Sequence, residues 1–222
     1  MDRNRPRENL EIIKRNSSLN MIYIDDKDVW PKLSVDDLWV YDKLILAKKL
    51  GHQAAPAGVP VPTAGWYVVR PITNLRMMSR GAEKIWLTPK DVDLVPDGFF
   101  WTEYFEGRHI SVDFHHGVGV LAVEGFRNSN RLDRFCRWEK IHNTYQFPAV
   151  LGDMYLRQPW INIEYVGSKI IELHMRWNDD FGNHTGDVIY PVWQDDPIPQ
   201  PENTSWYHSP AGDRLGFWIS HK

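Results

Sequence analysis

From Trp66 to the end of this 222-residue chain, short runs of β-branched and aromatic residues follow one another with little between them but turn residues. They read WYVVRP (66–71), EKIWL (83–87), GFFWTEYF (98–105), HISVDF (109–114), VGVLAVEGF (118–126), DVIYPVW (187–193) and RLGFWISH (214–221). The order of elements is not a regular alternation of strand and helix, so the pattern predicts an antiparallel-rich α+β fold with few helices. His115-His116-Gly117 reads as the turn between two of these strands.

Two segments read as helices. In SVDDLWVYDKLILAKKLG (34–51), Ser34 is the candidate N-cap, Asp36 and Asp37 suit the first turn, Lys48 and Lys49 the last, and Gly51 the stop. Val40, Leu44 and Ala47 mark its apolar face. In SNRLDRFCRWEKIHN (129–143), Leu132, Phe135 and Trp138 form one stripe. Residues 1–18 read as a charged surface segment, NMIYID (20–25) as a short strand, and both HQAAPAGVPVPTAG (52–65) and the Pro-rich stretch 197–201 as connections.

Composition narrows the classes. With 42% hydrophobic and 13% aromatic residues the chain can build a real core. A net charge of −3 gives no electrostatic footprint for nucleic acid, and the eleven tryptophans lack the interleaved Lys and Arg of a base-stacking surface. No run of 18 apolar residues reads as a membrane span, and the first residues lack the apolar core of a signal peptide. The lone Cys136 cannot form an internal disulfide, which suits a reducing, cytoplasmic compartment.

The chemistry concentrates in NIEYVGSKIIELHMRWNDD (162–180). Glu172, His174, Arg176 and Asn178 recur every second residue and share one face of a regular strand. A two-residue turn at Gly167-Ser168 pairs Glu164 with Ile171 and puts the two glutamates on opposite faces; a three-residue loop through Lys169 pairs Glu164 with Glu172 directly. Opposed carboxylates repel, and a divalent cation between them reverses that sign.

This hairpin resembles the last motif of the ATP-grasp superfamily, in which two acidic residues and an Asn hold Mg²⁺ against ATP phosphates and an Arg meets the reacting group. Glu164 and Glu172 match the acidic positions and Arg176 the Arg; His174 stands where Asn is usual, and Asn178 lies close by. TEYFEGRHISV (102–112) looks like the hinge strand, whose backbone around Glu103 and Phe105 would pair with adenine. There Thr102 replaces an acidic residue or Gln, and His109 takes the place of a ribose-binding Glu. GWYVVRPI (65–72) is similar to the strand carrying the second phosphate lysine, with Arg70 at that position, and YDKLILAKKLGHQAAPAGVPVP (41–62) to the entry segment, with Lys43 as the first. In TNLRMMSRGAE (73–83), where the family often has a Gly-rich lid, Arg76 and Arg80 would cover phosphates with charge.

The resemblance implies ATP and Mg²⁺ as cofactors, a nucleotide between two subdomains, and activation of a small-molecule or peptide carboxylate as an acyl phosphate for attack by an amine or similar nucleophile. Arg176 and Arg70 would be the catalytic residues. It also implies a reduced N-terminal segment (1–36), an ATP-grasp-like domain (37–184, hinge near 102–106) and a C-terminal β extension (185–222); assembly as a homodimer is compatible with this. The alternative function is a non-catalytic module that binds nucleotide or a protein. Quieter readings are Lys43 as a solvated helix residue, Arg70 paired with an acid such as Asp113, and His109 and His174 as satisfied cleft histidines. A zinc site from His109, His115, His116 and His174 is the least favoured.

Overall fold

The computed structural model describes residues 25–73, 80–182 and 184–221. NMIYID therefore lies outside the described residues except for Asp25. Two antiparallel sheets form the frame. The smaller has the order β1-β4-β2-β3, from β1 (Ala54–Pro56), β2 (Gly65–Pro71), β3 (Glu83–Leu87) and β4 (Phe99–Glu103). The larger has the order β11-β12-β10-β7-β6-β5-β8-β9. Its strands are β5 (His109–His115), β6 (Val118–Phe126), β7 (Arg137–Lys140), β8 (Trp160–Val166), β9 (Lys169–His174), β10 (Val188–Trp193), β11 (Thr204–Tyr207) and β12 (Arg214–Ser220). Among the described residues four short α-helices join them: α1 (Asp26–Val29), α2 (Lys43–Lys49), α3 (Met154–Arg157) and α4 (Asp179–Gly182). The predicted α+β class with mostly antiparallel strands holds.

Strand alternation sorts the large sheet into two faces. Ile110, Val112, Phe114, Ile161, Ile163 and Leu173 point to one side and are buried against Val40, Leu46 and Met154. Each such side chain contributes roughly 1.5–3 kcal/mol through removal from water. Val29, Trp30 and Leu33 pack on the same cluster, which anchors the first described helix to the sheet. Tyr67, Val69, Leu87 and Trp101 form a second cluster on the small sheet. The opposite face of β5, β8 and β9 is polar.

The helix predicted over 34–51 is shorter. Residues 38–41 form a 3₁₀ turn, and the α-helix begins at Lys43 because Asp42, not Ser34, caps it: its Oδ1 accepts the Ile45 N–H at 2.8 Å. It ends as expected at Gly51 (φ +75), with the His52 and Gly51 N–H groups donating to the carbonyls of Ala47 and Lys48. The second predicted helix, 129–143, does not form. Phe135 and Trp138 instead fill the space over Gly125, where a Cβ would lie 2.6 and 2.8 Å from their rings, and Arg137–Lys140 joins β6 as a strand. β1 lies in the stretch read as pure loop, and β11 follows the Pro-rich connection.

Val123, Phe181, Ile189, Phe217 and Ile219 make a third cluster beneath the C-terminal strands. Against it lies His184, whose Nδ1 accepts the Gly186 N–H at 3.0 Å, leaving Nε2–H to donate to the Asp180 carbonyl at 2.7 Å. Burial pushes its pKa down to about 4. Between that value and the unfolded 6.5 the unfolded chain binds a proton that the native chain does not, so this histidine makes stability fall as pH drops through that window, by roughly 2–3 kcal/mol. Asp113 and Asp179, raised by burial to about 7 and about 6, act with the opposite sign. The difference between wild type and His184→Gln isolates the histidine: its melting temperature is expected to fall less than that of wild type between pH 7 and pH 4.5, and parallel curves would refute this. No helix among the described residues is long and apolar enough to cross a membrane.

Candidate functional site

The turn of the β8–β9 hairpin has two residues, because Val166 pairs with Lys169 across Gly167-Ser168. Alone this would set Glu164 opposite Ile171. A β-bulge intervenes: Tyr165 pairs with Ile170 and Glu164 with Glu172, so Ile171 is the extra residue. The bulge puts both glutamates on one face, as the three-residue loop would have done. It also releases the Ile171 carbonyl, which accepts a hydrogen bond from Arg70 Nη2 at 3.1 Å. Asn162 and His174 pair on the same face, and the neighbouring β5 places Ser111 opposite Glu164 and Asp113 opposite Asn162. Asn162 Nδ2 donates to Ser111 Oγ and Asp113 Oδ1, both at 2.8 Å.

The carboxylates of this face are matched by protein cations. Lys43, in the first turn of α2, is buried and its ammonium donates to Glu172 Oε1; Arg70 Nη2 lies 3.6 Å from Oε2. Burial raises the Glu172 carboxyl, but Lys43 and Arg70 outweigh it and hold the group below its ordinary range. Burial lowers Lys43, and Glu172 offsets part of that. Arg70 thus pairs with Glu172 rather than with Asp113, and Lys43 is not solvated.

Glu164 accepts from His109 Nε2 at 3.0 Å. Arg127 Nη2 lies 3.2 Å from His109 Nδ1 and, having no acceptor of its own, donates there, which leaves the ring proton on Nε2 facing Glu164. Burial again works against the charge on Glu164, and the two histidines bring its pKa well below the usual carboxylate range. His174 Nδ1 lies 2.7 Å from Asp26, and its Nε2 stands 3.6 and 3.7 Å from Glu164 and Glu172. Burial lowers the imidazole, but Asp26 pushes it up to about 9. With Nδ1 engaged by Asp26, Nε2 is the ring nitrogen that faces the two glutamates.

Between the two sheets lies a cleft open to solvent. Lys43, Arg70 and Thr102 line one part, His109 and Arg127 another, and Glu103, Tyr104 and Phe105 pass along it where the chain crosses from β4 to β5. Leu46, Ala47, Val68 and Ile170 supply apolar walls. Arg70 Nε, Thr102 Oγ1 and Arg127 Nε are buried there without a hydrogen-bond partner, which leaves two cationic donors and a hydroxyl ready for a polar ligand. The Glu103 N–H is already given to the Gln53 carbonyl at 3.0 Å.

A second cleft of about 720 Å³ adjoins the hairpin. It holds Glu164, Glu172, His174, Arg176 and Asn178, with Trp138 and Trp193 as walls. Its two arginines are committed within the protein: Arg214 to Asp180 by two bonds of 2.8 Å, and Arg176 to Asp26 and the Trp177 carbonyl.

The structure therefore gathers Lys43, Arg70, Thr102, Glu103, Phe105 and His109 around one cleft and Glu164, Glu172, His174, Arg176 and Asn178 around the other. Arg80 stands apart from both, exposed, 3.8 Å from Asp213, and Arg76 lies outside the described residues. Sequence reading missed Arg127 and Asp26. Among the described residues no three His, Cys, Asp or Glu side chains are arranged to hold a metal ion by themselves. The glutamate pair fits a hard cation only if the remaining oxygens arrive with a ligand; Glu172 Oε2, buried without a hydrogen bond, is one acceptor left for it.

Neither a protein-family model nor a curated protein sequence matches the chain. Solved structures do resemble it. An L-amino acid ligase from Bacillus licheniformis superposes with a TM-score of 0.54 at 8% identity, over 94% of this chain and 71% of that one. An N5-carboxyaminoimidazole synthetase from Staphylococcus aureus gives 0.50 at 10% identity, over 82% and 67%. A putative ATP-grasp superfamily protein from Archaeoglobus fulgidus gives 0.48 at 16% identity; this chain spans 64% of its length. At these identities the likeness is one of fold.

Proposed function

Because the chain has an ATP-grasp fold, we propose that it is an ATP-dependent ligase that activates a carboxylate as an acyl phosphate. One observation carries the reading: Lys43 and Arg70, which line the inter-sheet cleft, are ion-paired to buried Glu172, which lines a second, aromatic-walled cleft. A nucleotide in the first cleft would present its phosphates to Lys43 and Arg70. An acid in the second would stand next to the terminal phosphate. Its carboxylate oxygen attacks that phosphorus and ADP leaves; an amine then attacks the acyl carbon and inorganic phosphate leaves. Mg²⁺, held by Glu164 and Glu172 with phosphate oxygens completing its shell, would neutralise charge on the polyphosphate. His174 serves as a fixed donor rather than a metal ligand, and Asn178, whose Oδ1 accepts the Asp180 N–H at 3.1 Å, lines the same cleft. Arg176 supplies positive charge in the second cleft.

The test is titration of ATP with and without Mg²⁺ into wild type and a Glu164→Gln/Glu172→Gln variant, read by tryptophan fluorescence and melting temperature. Wild type is expected to saturate and to gain about 2.7 kcal/mol at a hundredfold excess over Kd. Magnesium should tighten binding to wild type and have little effect on the variant. Phosphate release that requires both an acid and an amine would establish ligation, and saturable binding that no such pair converts to turnover would favour the non-catalytic module. Silence of wild type at millimolar nucleotide would end the ligase reading and any nucleotide-binding module, and would favour a protein-binding one.

A further inference from the structure

Asp26 lies in the first described helix, 148 residues from the histidine it touches, and is 0% exposed. Its hydrogen-bond partners are donors. Tyr41 Oη approaches at 3.0 Å, His174 Nδ1 at 2.7 Å and Arg176 Nη2 at 3.4 Å; Arg176 Nε adds an ion-pair contact at 3.3 Å without a hydrogen bond. Asp26 lines neither cleft, whereas His174 and Arg176 both face the second. A carboxylate only accepts, so the His174 proton on Nδ1 points at Asp26 and Nε2 is aimed between Glu164 and Glu172. Arg176 is fixed by the same carboxylate and by the Trp177 carbonyl, which accepts from Nη1 at 2.8 Å. Full burial of a charged group is a poor way to gain stability, since an apolar residue of similar volume does as well or better. Holding two cleft side chains in one orientation is a task an apolar residue cannot perform.

We propose that Asp26 is a positioning residue: it sets the ring orientation of His174 and the aim of Arg176, so that α1 completes the reaction site from outside it. The functional part of this rests on the ligase reading; the positioning part does not. The same relation, in which a carboxylate behind a histidine orients its working nitrogen, governs histidines at many reactive sites.

The experiment is a double-mutant cycle of Asp26→Asn and His174→Gln in the full chain, with two readouts. Histidine ¹⁵N spectra without nucleotide report the Nδ1–H of His174, assigned by its loss in His174→Gln. Basal Mg·ATP hydrolysis reports kcat and KM. Asp26→Asn keeps the Tyr41 partner and is expected to abolish the His174 Nδ1–H signature. It should lower kcat about 10–100-fold, with KM for Mg·ATP within about threefold of wild type. In the His174→Gln background the effect of Asp26→Asn should shrink, and Asp26→Glu should restore part of the rate. An unchanged signature, or effects that multiply independently across the cycle, would overturn the proposal. If Asp26→Asn does not fold, Asp26→Glu keeps the charge, moves it by one methylene, and is expected to show a shifted His174 Nδ1–H signal and a rate between those of wild type and His174→Gln; a signal and rate identical to wild type would overturn the proposal. A wild type that neither binds nor hydrolyses ATP defeats the ligase reading, while the spectra still decide whether Asp26 orients His174.

Discussion

Lys43→Met is expected to cost about 3–5 kcal/mol of folding free energy at pH 7.5, the range found when one partner of a buried ion pair is removed. The lysine is 6% exposed and its ammonium meets Glu172, itself 4% exposed. Without it Glu172 keeps Arg70, at 3.6 Å, and His174, at 3.7 Å, and its Oε2 already lacks a hydrogen bond. The pH dependence follows in sign. In wild type the Glu172 carboxyl is held below its ordinary value, so its contribution is present above the unfolded pKa and is lost as pH falls through the folded one. In the variant burial is opposed only by Arg70 and His174, so the carboxyl moves up and the variant loses less than wild type as pH falls. The gap between the two proteins should therefore narrow from pH 7.5 to pH 5 in urea titrations. ATP affinity should fall about 10–100-fold, the worth of one charge-assisted contact to phosphate. A Lys43→Met/Glu172→Leu double variant separates the two roles: it should recover most of the stability and none of the nucleotide affinity. A single variant losing less than about 1 kcal/mol would mean that the pair is solvated.

That cluster also shows how far the sequence could be read. EKIWL and VGVLAVEGF form strands with the expected ends because alternation is a local property and both have partners on each side or a core beneath. The 129–143 stripe carried a helical period, yet Phe135 and Trp138 gain more by capping Gly125 than by lining a helix. In the hairpin both candidate registers rested on turn length, whereas the glutamates are aligned by a bulge at Ile171. Nothing in Ile170-Ile171 announces it; the residue that satisfies the freed carbonyl, Arg70, is 101 positions away. Asp26 was hidden for the same reason. Its meaning lies in contacts with Tyr41, His174 and Arg176, and no spacing along the chain encodes them. The motif residues were legible because each carries its chemistry alone. The residues that aim them were not, because aiming is a relation between distant segments.

Gly107→Ala is the second large effect, and it acts on the connection between nucleotide cleft and hairpin. Gly107 follows the hinge with φ +132, and a Cβ there would lie 2.8 Å from Gly167 Cα and 2.9 Å from Gly167 N. The obstacle is backbone, which cannot rotate away as a side chain does. Gly167 is itself at φ +59 and donates its N–H to the Arg108 carbonyl at 2.9 Å, so the hinge is laid directly on the turn that holds Glu164 and Glu172 in register. Conformational strain and the forced separation together should cost about 2–4 kcal/mol, or roughly 5–15 °C in melting temperature for a chain of this size. Gly98→Ala is the control. Gly98 has φ +80, but a Cβ there meets nothing within 4 Å, so its cost should stay near 1 kcal/mol from strain alone. The separation should also move the hinge relative to Lys43 and Arg70 and weaken ATP binding by about tenfold, whereas Gly98→Ala should leave affinity unchanged. Equal losses in the two variants would show that the hinge and the hairpin turn do not depend on their close approach, and that the two clefts are held in register by the Lys43–Glu172–Arg70 cluster alone.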